Sequence, residues 1–246
     1  MLKATSREKV RSMKRGKNPK RKSRSVGKPL IVLVLVAVVA LGTAYYLQHE
    51  QATKSDHSEP STKQLPNTHF LTNPAGWSKG NSIAKTVLVE FGDFQCGACA
   101  AASSRVSRIT KKHGSRLKVI FKQYPMQKSH GNSMLAAQAA EAAGQQLRFW
   151  EMHDLLFERQ SDWAEIPDAH TLFFKYAEEL RLDPGRFKRD LRDNTVRKKI
   201  YRDMMEGQLA QVHSVPTFFL NGKRISNSRD EAEFEQKIVD GIRSDQ

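Results

Sequence analysis

Val87-Leu88-Val89-Glu90-Phe91-Gly92-Asp93-Phe94-Gln95-Cys96-Gly97-Ala98-Cys99 is the stretch from which the rest of this chain is read. A β-branched and aromatic run ends in two cysteines separated by two small residues, and an Ala/Ser-rich helical run follows directly. They are the only cysteines among 246 residues. At the start of a helix this spacing lets two thiols meet in a disulfide, and the strand-to-helix junction points to redox chemistry. One Cys-x-x-Cys loop encloses too few residues to constrain a fold, so a bond between Cys96 and Cys99 reads as exchanged rather than structural. Cys96 falls at the helix N-terminus, where unpaired backbone N–H groups and the helix dipole favour a thiolate. It is the expected attacking sulfur, and Cys99 the resolving one.

The strand over Thr86 to Phe91 is apolar except for Glu90. The helix from Cys96 to about His113 turns Val106 and Ile109 inward and Arg105, Arg108, Lys111 and Lys112 toward solvent, and Gly114 ends it. Leu117 to Phe121 is a second strand, and a strand–helix–strand unit of this length implies a parallel crossover. From Gly131 the pattern turns helical. Met134 to Ala143 and Phe149 to Phe157 form two helices, Ile166-Pro167-Asp168 precedes a third through Leu180, and Asp183-Pro184 caps a fourth. The stripe Phe187, Leu191, Val196 and Ile200 carries that fourth helix toward Gly207. Strand character returns at Val215-Pro216-Thr217-Phe218-Phe219-Leu220, with Asn221-Gly222 as a two-residue hairpin turn before Lys223-Arg224-Ile225. Glu233 to Ile242 closes the chain as a helix. The order is βαβ, helical insertion, ββα, an α/β fold.

Upstream the character changes. The net charge of +15 suggests nucleic acid until its distribution is seen: residues 1–28 hold 12 Lys/Arg and one Glu, or +11, leaving +4 for the remainder. That segment has no apolar period and reads as disordered. The 18 residues from Leu30 to Leu47, LIVLVLVAVVALGTAYYL, carry no charge. They nearly span a hydrocarbon layer, with Tyr45 and Tyr46 near the far interface, and read as a single transmembrane helix over 29–47. The basic tail then stays cytoplasmic and the rest is exported. The alternative is a cleaved signal peptide, with Gly42-Thr43-Ala44 as a weak cleavage site and a secreted product. Both the basic region and the apolar run are long for a signal, which favours the anchor. The tail lacks aromatic interleaving and any reader module, so it reads as a topology signal with some attraction for anionic lipid, and no specific nucleic acid is expected. Residues 48–75 are polar and interrupted by Pro60, Pro66 and Pro74, and read as a linker to a domain over 76–246. Folding is expected from about Ala84, and Asn67 to Trp77 can begin to pack on it.

The chain resembles the thioredoxin-fold thiol-disulfide oxidoreductases, and within them the bacterial membrane-anchored DsbA-like family. Three blocks carry the likeness, in the family's order: VLVEFGDFQCGAC, MLAAQAAEAAGQQLRFWEMHDLLFERQ and VPTFFLNGKRI. The resemblance implies a thioredoxin-like fold with a helical subdomain inserted over about 130–207. It implies a cis Val215-Pro216 peptide beside Cys96, with Val215 backbone groups positioned to pair with an extended substrate. It assigns Glu90, six positions before Cys96, to the acidic site beneath the cysteines, where burial raises the carboxyl pKa and lets it relay a proton to or from Cys99. It implies no bound organic cofactor, cysteine-containing exported proteins as substrates, and a quinone-linked membrane partner for reoxidation. Gly97-Ala98 departs from the Pro-His of the strongest oxidases, so the Cys96 pKa should be less depressed than theirs, and the direction of electron flow stays open between oxidase and reductase or isomerase.

Other residues read more plainly. Phe94 and Gln95 adjoin Cys96 and are expected to frame the reactive sulfur for substrate. Phe149 and Trp150 read as core residues, with the groove above the cysteines as the alternative. His153 reads as a packing histidine, and His130 as a residue preceding a helix. Cys96 and Cys99 have no second Cys-x-x-Cys or close His pair, and His113 and His130 are too far apart for a zinc finger, so no metal is expected. The rival from another class is a non-catalytic membrane-anchored binding or scaffold protein, which would tolerate loss of both cysteines.

Overall fold

A computed structural model of the chain describes residues 37, 39–43, 45, 71 and 75–244. It divides into two units, Met1–Ser61 and Thr62–Gln246. In the first, the described residues are helical, and Thr43 Oγ1 donates to the Val39 carbonyl at 3.0 Å. Among the described residues no helix is long and apolar enough to cross a membrane. The basic tail, most of the apolar run over 29–47 and nearly all of the linker over 48–75 lie outside the described residues.

The second unit is built on a five-stranded sheet of order β1-β3-β2-β4-β5. Its strands are β1 (Trp77–Gly80), β2 (Thr86–Gly92), β3 (Leu117–Gln123), β4 (Thr217–Leu220) and β5 (Lys223–Ile225). β2 lies in the middle, parallel to β3 and antiparallel to β4. All seven of its residues are buried, as a strand covered on both faces requires. The alternation of side chains sorts them. Leu88 joins Val119, Phe218 and Leu220 on the face covered by α1 (Gly97–His113) and the closing helix α8 (Glu231–Ser244), which contribute Val106, Ile109, Phe234, Ile238 and Ile242. Val87, Val89 and Phe91 face the other way, with Ile120, Phe219, Ala210 and Val212. Asn221 and Gly222, at φ 48° and 81°, supply the two left-handed residues of the β4–β5 hairpin turn.

Between β3 and β4 lie six helices among the described residues: α2 (Ser133–Gly144), α3 (Phe149–Glu158), α4 (Gln160–Trp163), α5 (His170–Glu179), α6 (Pro184–Asp190) and α7 (Asn194–Leu209). The sequence pattern predicts four. α4 is a single turn too short to show a period. The apolar stripe from Phe187 to Ile200 is divided because Asp183 caps α6, accepting from Arg186 N at 2.6 Å, and Asp193 starts α7 afresh, accepting from Thr195 N at 2.6 Å. α7 runs so close to the sheet that a Cβ on Gly207 would lie 2.5 Å from the Tyr124 ring.

Three further expectations are corrected. Folding starts before Ala84, because β1 pairs antiparallel with β3, while Leu71, fully buried against Val87, Val89 and Ile120, falls in the Asn67 to Trp77 stretch expected to pack. Arg105 is buried rather than solvated, since its guanidinium lies 4.5 Å from the Phe234 ring centroid and bonds Asn227. Gly114 follows α1 with right-handed dihedrals, φ −60°. What it supplies is room, as a Cβ there would meet the Thr110 carbonyl oxygen at 2.4 Å.

Candidate active site

The two cysteines sit where the central strand hands over to α1. Cys96 is the N-cap of α1, extended at φ −81° and ψ 120°. Its side chain is partly exposed, Gly97 and Ala98 are exposed, and Cys99 is fully buried one turn into the helix. Both are free thiols. The Cys96 pKa is lowered to about 6, chiefly by the hydrogen bond from Cys99 and then by backbone N–H groups of Cys99 and Ala98, against burial and the Asp93 charge. The Cys99 thiol is pushed well up, first by burial, then by the bond it gives Cys96 and by the Glu90 charge. One sulfur ionises readily at the surface while the other keeps its proton inside. That division is the one stepwise disulfide exchange requires.

Glu90 is buried at the centre of β2, opposite Phe121 on β3 and Phe218 on β4. Burial raises its pKa to about 7, against the smaller opposing effects of Lys79 and Arg105. Its Oε1 has no hydrogen-bond partner in the protein, which keeps a proton-accepting oxygen uncommitted on a carboxyl whose charge bears on Cys99.

The turn between β2 and α1 is held by side chains the sequence reading passed over. The Asp93 carboxylate is buried and accepts from Gln95 N and Met126 N, each at 2.8 Å, and it faces His130 Nδ1 at 2.7 Å. Asp93 N donates to Cys99 Sγ at 3.5 Å. A readable signal existed, since an Asp whose side chain accepts from the N–H two residues on is a local turn former. Asn132 and Gln160 were also missed. Gln160 Nε2 donates to the Phe94 carbonyl at 2.6 Å, Gln95 Nε2 to the Ala164 carbonyl at 2.6 Å, and Asn132 N to Gln95 Oε1 at 2.7 Å. These amides fasten the turn to the helical subdomain.

Gln95 is therefore committed at both ends of its amide and acts as a brace. Phe94 departs from its expected place beside the reactive sulfur: it is 1% exposed, stacked on Phe121 at 5.2 Å and packed on Phe157 at 4.9 Å. Its ring is core, leaving no face for a substrate. The Val215–Pro216 peptide is cis, and the Cys96 thiol donates to the Val215 carbonyl at 3.7 Å. The chain thus brings together Cys96, Cys99, Val215 and the strand bearing Glu90.

Other candidates lie elsewhere. Phe149 stacks on Trp77 at 5.1 Å, and Trp150 Nε1 donates to the Ser78 carbonyl at 2.9 Å, so both serve the β1 edge. His153 is buried among Phe94, Phe121 and Phe157. Burial lowers its pKa to about 4, leaving a neutral packing residue at pH 7. Among the described residues no group of three or more His, Cys, Asp or Glu side chains is placed to hold a metal ion.

A family model described as Thioredoxin matches residues 72–240. The Na(+)/H(+) antiporter NhaA 1 of Salinispora arenicola is 38% identical over 146 residues, which cover 59% of this chain and 22% of that protein. The chain thus spans about a fifth of the length of this curated relative. Among solved structures, oxidised BdbD from Bacillus subtilis is 28% identical with a TM-score of 0.60, covering 68% of this chain and 92% of that one. The thiol-disulfide exchange protein alpha-DsbA2 from Wolbachia pipientis shares the fold at 17% identity and a TM-score of 0.58, covering 66% and 85%.

Proposed function

We propose, from the premise that this chain belongs to the thioredoxin family and is a DsbA-like thiol-disulfide oxidoreductase, that it oxidises cysteine pairs in exported proteins through Cys96 and Cys99. The observation that carries this direction is the contrast between the two thiols. A Cys96 pKa of about 6 makes that sulfur about nine-tenths thiolate at pH 7. Stabilising the thiolate stabilises the reduced enzyme and makes its disulfide the stronger oxidant.

In the proposed reaction a substrate thiolate attacks Cys96 Sγ of the enzyme disulfide. A substrate–Cys96 S–S bond forms, the Cys96–Cys99 bond breaks, and the electron pair leaves on Cys99, which takes a proton from Glu90. A second substrate thiolate then attacks the substrate sulfur, and Cys96 departs as the stable thiolate. The substrate dithiol is oxidised and the enzyme disulfide reduced. Val215 backbone groups beside Cys96 align the substrate as an added strand. Reoxidation falls to a quinone-linked membrane partner. The reading includes a tethered enzyme: cytoplasmic tail over 1–28, membrane helix over 29–47, polar linker over 48–75, and catalytic domain in the periplasm or outside the cell.

The test is the equilibrium potential against glutathione, together with trapping by Cys99→Ala. The oxidase reading expects a potential above that of thioredoxin, roughly −270 mV, and Cys96-linked mixed disulfides with exported proteins. A value at or below thioredoxin's would reverse the assignment to a reductase or isomerase. An absence of mixed disulfides would remove the exchange role itself.

A further inference from the structure

We propose that His130 is a positioning residue that sets the charge beside the two thiols by acting through Asp93, an inference that rests on the exchange reading of Cys96. Asp93 belongs to both sides of the relationship. Its backbone N–H donates to Cys99 Sγ at 3.5 Å, and its carboxylate faces His130 Nδ1 at 2.7 Å. The Asp93 side chain is 0% exposed and the His130 side chain 26%. Of the three nitrogens on this carboxylate, the Gln95 and Met126 groups are backbone amides that never titrate. The imidazole is the one partner whose charge can change.

With Nδ1 donating to Asp93, Nε2 is the ring nitrogen left to carry a further proton. Protonated, it makes the pair neutral. Deprotonated, it leaves a single negative charge next to the active-site turn. That charge opposes a thiolate on Cys96, so protonation of His130 favours the reactive form. The other titratable groups around the sulfurs do not replace it. Glu90 acts on Cys99 and is offset by Lys79 and Arg105, and His153 is held neutral by burial. The His130 backbone is pinned separately, its N–H to the Met126 carbonyl at 3.0 Å and its carbonyl to Ser133 Oγ at 2.8 Å. The loop therefore keeps its own bonds when the ring is replaced.

The experiment compares the full-length reduced protein with His130→Gln and His130→Lys, following thiolate absorbance and iodoacetamide alkylation from pH 4.5 to 8.5. Gln supplies a neutral donor and Lys a permanent charge. The expected result is a higher Cys96 titration midpoint in His130→Gln, with alkylation at pH 6 slowed about 3-fold, and a midpoint at or below the native one in His130→Lys. Two variants that shift alike, or that both match the native protein, would overturn the proposal, because a structural role does not distinguish donor from charge. The premise has its own control: Cys96→Ser must abolish the pH-dependent alkylation. If it does not, the exchange reading fails whatever His130 does.

Discussion

Glu90 exchanges its proton near neutral pH because burial holds its pKa at about 7, and its charge bears on Cys99. Glu90→Gln removes the proton acceptor and keeps the shape. Attack of Cys99 on a mixed disulfide should slow by about 10-fold or more, while alkylation of Cys96 stays within about 2-fold. Equal resolution rates, measured by stopped-flow fluorescence, would remove Glu90 from the relay. Stability gives an independent reading. The unfolded carboxyl ionises near 4.5 and the folded one near 7, so the folded state binds more protons between those values and stability falls as pH rises through them. The dithiol form of Glu90→Gln should gain up to about 3 kcal/mol at pH 8 and nothing at pH 4. Glu90 was legible because a carboxylate in an apolar strand is conspicuous. Phe94 was misread because adjacency to a reactive residue says nothing about which way a ring turns. Asp93 was legible only in part: its bond to Gln95 N is local turn chemistry, but its partners at Met126 and His130 come from a loop more than thirty positions away.

Lys122 shows how an element is fixed by residues that sequence pattern treats as solvent-facing. It lies on β3 with 0% of its side chain exposed, bonded to Asp203 at 3.2 Å and Glu206 at 2.6 Å on α7. Lys199 reaches both Asp203 and Glu141 from the same helix, and Trp77 Nε1 completes Glu141 at 2.8 Å. The network ties β1, β3, α2 and α7 together. Lys122→Met should cost about 3 kcal/mol, because it removes the buried cation that Asp203 and Glu206 share and leaves Asp203 with Lys199 at 3.5 Å as its remaining cation. The check is the urea midpoint of the reduced protein, and an unchanged midpoint would show that the network contributes nothing. Adding Asp203→Asn should recover part of the loss. Such contacts explain the missed edge strand. Trp-Ser-Lys-Gly has one apolar side chain in four and no local β pattern, and its Trp packs on Phe149 and Glu141 far along the chain. By contrast β2, α1, the Asn-Gly hairpin and the amphipathic α8 announce themselves through period and turn chemistry alone.

At the scale of the whole molecule, the proposed topology rests on a division of charge. Residues 1–28 hold +11 of the total +15, and the uncharged run behind them leads to a domain whose thiol chemistry suits an oxidising compartment. The βαβ–helical–ββα order of that domain was readable because each unit carries its own periodicity. Its start was less distinct, because Phe70-Leu71 is an apolar pair in a polar, proline-broken stretch, too short to show a period. The topology reading makes a definite prediction. In osmotically stabilised cells stripped of any outer barrier and treated with a membrane-impermeant phosphine reductant, a charged, impermeant maleimide should label Cys96 without lysis. Cys96 is partly exposed and easily ionised, whereas Cys99 is buried, so one label per chain is expected, and none in Cys96→Ser. The labelled protein should remain in the membrane after alkaline extraction at its full 27.9 kDa, with the basic segment still attached. A soluble labelled product beginning near Tyr45 would show instead that the apolar run is a cleaved signal. Labelling that needs lysis would invert the orientation and place the dithiol where glutathione keeps it reduced, which is incompatible with an oxidase of exported proteins.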